Sequence, residues 1–377
     1  MNTYQKFGFF PFHWCCSQDR GEDNIIIRSY GWNKDNESVC LIINDFTIPV
    51  WIELPDDIEW TESKISIIKD KLKKITYGNN APVSIEFKRQ QRLYYADVIK
   101  KENKYVPMLF PFLELHFKGT YSISTFMKLA CGKKFADRVD INDCRECKLT
   151  VPNVGDVKLR FHTYEPSISP VLKLFAIQNI SSSNWMHVKA KLVPEDERIT
   201  CKKYEYRVSY KNLTAFTVDE CSQMPIMYPK IMSYDIEVFS SKAPAFPNAN
   251  LSGDQVFQIG ASMSQNVDGK RVYRKILLTI GKCNPIKDDV DPSGFADIRS
   301  FKNEKALYEG FKQLMIEEDP DVVIGYNIFK FDIEYIHNRI LIFSMQVVAI
   351  LSLDVFVIKN LLSFLSNGNR LLMENKK

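Results

Sequence analysis

The segment Lys230-Ile231-Met232-Ser233-Tyr234-Asp235-Ile236-Glu237-Val238 constrains this chain most. Its apolar, β-branched character reads as a strand, and side chains two apart on a strand point the same way. Asp235 and Glu237 therefore share one face. An unpaired charge in an apolar strand is costly to bury, so these carboxylates either meet solvent or gather a cation. An isolated Asp-x-Glu is most often a solvated strand edge, because carboxylates are mostly exposed. What else the fold brings to that face decides between the two readings.

A second acidic stretch, Asp319-Pro320-Asp321-Val322-Val323-Ile324-Gly325-Tyr326-Asn327-Ile328-Phe329-Lys330-Phe331-Asp332, supplies a candidate. Before it, Asn303–Glu317 has Leu307, Phe311 and Leu314 at helical spacing, and Pro320 closes that helix. Asp321–Tyr326 reads as a buried strand and Phe331–Arg339 as a helix, with Asp332 at its start. Val256–Ser264 and Arg271–Ile280 read as two further strands joined by a turn at Asp268-Gly269. Three strands, a helix, a strand and a helix predict an α/β domain with a mixed sheet. An Asp at a helix start is more often a cap than a ligand. Phosphodiester hydrolysis, however, needs an activated water and charge neutralisation. Two divalent ions about 3.5–4 Å apart provide both, held by hard oxygen ligands. Asp235, Glu237 and Asp332 form such a candidate set.

The rest of the chain has a different rhythm. Residues 7–120 are β-rich, with short runs at Ile25–Ser29, Val39–Ile43, Val50–Leu54 and Val83–Phe87. Trp60–Ile75 has helical spacing, and a second β-rich region covers Val157–Val218. The 377 residues suffice for two or three domains. A balance of 50 basic and 46 acidic residues demands no nucleic-acid partner. Nine scattered cysteines point to reduced thiols in a cytosolic or nuclear compartment. Cys144-Arg145-Glu146-Cys147 has zinc-ligand spacing, but without a second pair free thiols are the simpler reading. Lys88, Arg89 and Arg92, beside Tyr94 and Tyr95, would suit a nucleic-acid backbone or a plain solvated face. Ile340–Ser366 is strongly apolar. It suits buried helices, a membrane-tending segment or sequence not selected to fold, and Asp354 and Lys359 argue against a membrane span.

Met232-Ser233-Tyr234-Asp235-Ile236-Glu237 resembles the first exonuclease motif of family B DNA polymerases. Phe246-Pro247-Asn248-Ala249-Asn250 and Asp254-Gln255-Val256-Phe257-Gln258-Ile259-Gly260 are similar to the segment that follows there. The stretch from Asp319 to Arg339 resembles the second motif. Upstream, Asp45–Pro55 resembles a strand of the N-terminal domain of viral, delta-like members. Tyr164-Glu165-Pro166-Ser167-Ile168, Ile177-Gln178-Asn179-Ile180 and Asn184-Trp185 are similar to the stretch preceding the exonuclease domain.

The resemblance implies a β-rich N-terminal region over residues 1–225. An incomplete ribonuclease H-like 3′→5′ exonuclease domain follows over 226–339, and then an apolar tail over 340–377. It implies metal-binding, catalytic roles for Asp235, Glu237 and Asp332, with Mg2+ or Mn2+ as cofactor. Asn327 would lie near the terminal nucleotide, while Phe246 and Phe331 would shape a pocket for unpaired bases by stacking. The implied partners are a DNA primer-template or single-stranded 3′ end and replication accessory proteins, with no membrane. The setting would be intracellular, in a host nucleus or a cytoplasmic replication site. The family's third motif, a Tyr followed four residues on by an Asp, has no match here, since no Tyr follows Tyr335. The expectation is therefore weak or absent exonuclease activity and no polymerase activity. A non-catalytic DNA- or partner-binding fragment and a truncated product are the alternatives.

Overall fold

Runs of β-branched and aromatic residues, broken by Asn, Asp and Gly, give the N-terminal half its many strands. The computed structural model describes residues 4–343, apart from 19–23, 93–97, 102–103, 132–143, 153, 163–166, 201, 268 and 288–293. Tyr94, Tyr95, Tyr164-Glu165-Pro166, Asp268 and the tail beyond Phe343 thus lie outside the described residues. The chain forms two units, Met1–Leu192 with Tyr206–Met224, and Val193–Glu205 with Pro225–Lys377.

The strands of the first unit are β1 (Tyr4–Gln18), β2 (Ile25–Asn33), β3 (Ser38–Ile43), β4 (Ile48–Glu53), β5 (Ser84–Gln90), β6 (Val98–Lys101), β7 (Lys104–Pro107), β8 (Phe110–Phe117), β9 (Cys144–Val151), β10 (Gly155–His162), β11 (Met186–Leu192) and β12 (Tyr204–Ala215). A closed barrel runs in the order β1-β11-β12-β3-β2, and a second sheet in the order β5-β8-β4-β10-β9. Four helices, α1 (Glu62–Lys73), α2 (Thr120–Cys131), α3 (Pro170–Gln178) and α4 (Val218–Ser222), fill the connections. At Gly31 a Cβ would stand 2.1 Å from the Phe10 carbonyl oxygen, so only glycine lets β2 close on β1 there. The patch at Lys88 and Arg92 is neutralised locally. Lys88 bridges Glu86 and Glu114, while Arg92 bridges Glu53 and Asp56 and covers the Phe110 ring. Cys147 is buried, which raises its thiol, and it is a free cysteine.

The second unit is a mixed sheet in the order β16-β15-β14-β13-β17. Its strands are β13 (Ile231–Val238), β14 (Val256–Val267), β15 (Lys270–Ile280), β16 (Asp297–Phe301) and β17 (Val322–Ile324), with helices α5 (Glu304–Glu318) and α6 (Asp332–Ile342). β17 pairs parallel with β13, and β16 parallel with β15. One face of the sheet carries Met232, Tyr234, Ile236, Ile259, Ala261, Ile276 and Leu278 into a core shared with Leu307, Phe311 and Leu314 of α5 and Ile333, Ile336 and Ile340 of α6.

Two expectations need correction here. The supposed buried strand Asp321–Tyr326 is three residues long, and its Ile324 is half exposed, because β17 is the edge of the sheet among the described residues. The predicted helix Phe331–Arg339 runs to Ile342, with Ile340 fully buried. β16 was not anticipated, since Asp-Ile-Arg-Ser-Phe lacks a strand's apolar alternation. Within this unit the segment Val193–Glu205 is tied to α5 by Lys202, whose buried ammonium lies 2.9 Å from Asp319 Oδ1. Glu205 accepts from the Ile199 and Thr200 amides and gives the segment its bend.

Candidate active site

The strand period places Ser233, Asp235 and Glu237 opposite the core face of β13, and Asp235 and Glu237 are exposed. β17 stops at Ile324, opposite Ser233, so it leaves the far end of β13 unpaired on that side. Gly325 makes the sharp exit possible. A side chain there would stand 2.9 Å from the Tyr234 carbonyl oxygen. The chain then turns through Tyr326–Lys330, with Asn327 exposed and left-handed at φ 53°, and enters α6 at Asp332.

Asp332 is 2% exposed, and its Oδ1 accepts the Ile236 amide at 3.2 Å, beyond the reach of β17. Burial pushes its carboxyl up to about 6. Its own amide and that of Ile236 oppose the rise, and the charge of Asp235 beside it adds to it. Two carboxylates thus meet at the junction of β13 and α6, one buried and one open to solvent. Tyr234 behind them is raised too, by burial and then by Asp332.

Glu237 shares the face of Asp235 but does not complete a triad. Among the described residues, no three His, Cys, Asp or Glu side chains stand close enough to hold one ion. The donor set nevertheless suits a hard divalent cation. Mg2+ keeps several waters and is commonly held by one or two carboxylates plus substrate phosphates. A carboxylate pair in which one member resists ionisation gains directly from a cation between its oxygens.

The structure brings Phe246 and Phe331 together, with ring centroids 5.1 Å apart at 63°. Phe246 is 76% exposed, on the loop 239–255 between β13 and β14. Phe331 immediately precedes Asp332, so the ring pair adjoins the carboxylates in sequence and in space.

Sequence reasoning missed the polar groups that hold these parts. Glu304 and Arg339, 3% and 2% exposed, form a buried pair through Nε (2.9 Å) and Nη2 of Arg339. Glu304 also accepts from the Val256 amide (3.0 Å) and the Tyr308 hydroxyl (2.9 Å). Asp254, 1% exposed, accepts from the Ser241 amide and hydroxyl and from the Asn248 amide, and these bonds hold its carboxyl below the usual range. The available signal was the spacing of Asp332, Tyr335 and Arg339, which repeats a single face of a helix.

A sequence model of the DNA polymerase family B exonuclease domain matches residues 161–367. DNA polymerase 120R of Invertebrate iridescent virus 3 is 28% identical over 346 residues, 90% of this chain and 28% of that protein. The DNA polymerase delta catalytic subunit of Plasmodium falciparum is 25% identical over 339 residues, 88% of this chain and 28% of that protein. The chain spans between 17% and 31% of the length of such relatives. In fold it is similar to the family B DNA polymerase of Pyrobaculum calidifontis, with a TM-score of 0.53 at 16% identity over 90% of this chain and 33% of that one. The match to the exonuclease domain spans part of the first unit and the second unit as far as residue 367, and the chain belongs to the family B DNA polymerases.

Proposed function

We propose that this chain is the N-terminal and exonuclease portion of a viral, delta-like DNA-directed DNA polymerase acting in intracellular DNA replication. The second unit receives a single-stranded 3′ end for metal-dependent removal of its last nucleotide. The observation that carries this reading is Asp332, which enters α6 with its carboxylate docked on the Ile236 amide beside Asp235. Asp235 and Asp332 would hold Mg2+ or Mn2+, and Glu237 would reach it through water. Such ions supply charge neutralisation at the phosphate and an acidified water. The chain's own residues do the rest. The Phe246–Phe331 pair stacks on the terminal base, Asn327 borders that nucleotide, and burial of Asp332 keeps bulk water from one side of the phosphate.

The test uses the 377-residue chain with 5′-labelled single-stranded DNA, and Mn2+ binding followed by electron paramagnetic resonance. Slow, cation-dependent shortening is expected, without templated incorporation. Asp235→Ala and Asp332→Ala should each weaken Mn2+ binding at least tenfold and remove shortening. Unchanged Mn2+ binding in both variants would sink the reading.

A second reading, a non-catalytic segment that binds DNA or a replication partner, draws on the absence of a third converging ligand among the described residues. It predicts salt-sensitive binding to primer-template that Asp235→Ala leaves unaltered.

A further inference from the structure

Helix α6 presents Asp332 at its first turn, and the same helical face carries Tyr335 and Arg339 three and seven residues on. Both side chains reach to the loop 239–255, which carries Phe246. The Tyr335 hydroxyl donates to the Asp254 carbonyl at 3.0 Å. Arg339 Nη1 donates to the carbonyls of Ala249 at 3.1 Å and Leu251 at 2.9 Å. Its other two donors hold Glu304, at the start of α5, so the guanidinium is fixed on both sides. The loop is also tied from within. Asp254 takes the Ser241 amide at 2.8 Å near one end and the Asn248 amide at 2.7 Å just past Phe246.

These contacts account for an oddity of the loop. Its tip ring, Phe246, is largely exposed, while Ala249 and Asp254 close behind it are almost wholly buried. An exposed ring on an untethered loop would sample many positions and lose that freedom on binding, which weakens affinity. A ring held in place loses little. The Tyr335 hydroxyl adds nothing to packing that a phenyl ring would not supply; what it adds is the bond to the loop.

We infer that Tyr335, Arg339 and Asp254 are positioning residues. They brace the loop 239–255 against the helix that carries Asp332, so that the Phe246–Phe331 pair and the carboxylates form one preformed receptor for an unpaired 3′-terminal nucleotide. This rests on the exonuclease reading above. The three side chains touch neither the reacting phosphate nor its metal, and they act through the placement of Phe246.

Amide exchange and base fluorescence on the full chain test this. The ligand is a five-nucleotide single strand with 2-aminopurine at its 3′ end, and Ca2+ replaces Mg2+. The wild-type chain should protect the Asn248 and Ser241 amides and quench the terminal base on binding. Tyr335→Phe should speed exchange at both amides about five- to tenfold, the effect of one buried neutral hydrogen bond. It should weaken quenching and oligonucleotide affinity by a similar factor, while Mn2+ binding and the exchange of Ile259 stay as in the wild type. Arg339→Lys, which keeps the charge beside Glu304 but not the fork, should speed exchange at both loop amides and weaken quenching more strongly.

Faster exchange with unaltered quenching and affinity would make the contacts purely structural and overturn the inference. So would unprotected Asn248 and Ser241 amides in the wild-type chain, a result that needs no variant. If the wild-type chain protects these amides yet neither binds nor quenches the strand, the exonuclease reading fails first and the receptor role falls with it.

Discussion

Replacing Arg339 with Met isolates the energetics of the buried pair. Met matches the length of the stem and leaves the apolar contacts with the core largely in place. What disappears is the charge opposite Glu304, which keeps the Val256 amide and the Tyr308 hydroxyl as neutral donors. Breaking a buried pair by removing one partner costs about 3–5 kcal/mol, because the remaining charge is uncompensated. The carbonyls of Ala249 and Leu251 also lose their donor, which adds about 1 kcal/mol. The expected loss is thus about 4–6 kcal/mol, confined to the second unit. All five tryptophans lie in the first unit, so their fluorescence reports that unit. Urea-dependent exchange at the Met232 and Ile259 amides reports the second. Adding Glu304→Gln to Arg339→Met removes the stranded charge and should recover about 1–3 kcal/mol. A single-variant loss below about 1 kcal/mol would refute the reasoning, as would a double variant that costs the sum of the two singles.

Two pH effects follow from other buried groups. In chelated buffer the Asp332 carboxyl should titrate near 6 by carbon NMR, and Asp235→Asn should move it downward. Its raised folded pKa means that stability is gained as the pH falls through 6 toward 4. The ionised form costs the fold up to about 3 kcal/mol above that window. Titration of Asp332 below 4.5 would contradict this. In the first unit, burial lowers His13 to about 3. With a depressed folded pKa, stability is present above about 6.5 and is lost as the pH falls, by less than about 2 kcal/mol at pH 5 because solvent reaches part of the ring. The tryptophan-monitored urea midpoint should show this drop in the wild type and not in His13→Gln.

The legible parts of the fold were those with a local cause. Asp235 and Glu237 share a face because the strand period is two, and the core residues between them follow from the same rule. Asn303 starts α5 where its side chain accepts the Ala306 amide, a cap visible in sequence. The parts that stayed hidden depend on partners distant in the chain. Arg339 sits in an ordinary amphipathic helix, and nothing local names Glu304, 35 residues earlier, as its counter-ion. The aromatic run of β1 does not announce a barrel, since closure depends on its pairing with β11, more than 150 residues away. Asp321–Tyr326 looks like a central strand by composition, yet Gly325 and the left-handed Asn327 end it early. Strand period and helix start singled out Asp235 and Asp332 as candidates, family likeness singled out Phe246 and Phe331, and neither route foretold that the two rings meet.

The segment Val193–Glu205 belongs to the second unit although β11 and most of β12, on either side of it, belong to the first. Synthesis therefore releases the parts in interleaved order. When Lys202 emerges, Asp319 is still 117 residues from being made, a delay of roughly 6–23 s at ordinary ribosomal rates. Until α5 has been made, the Lys202 ammonium lacks the Asp319 carboxylate it pairs with in the folded chain. The same interleaving means that a protease cut after Met224 does not divide the molecule cleanly. One fragment keeps the strap and the other keeps the helix it binds, so the Lys202–Asp319 pair has one member in each.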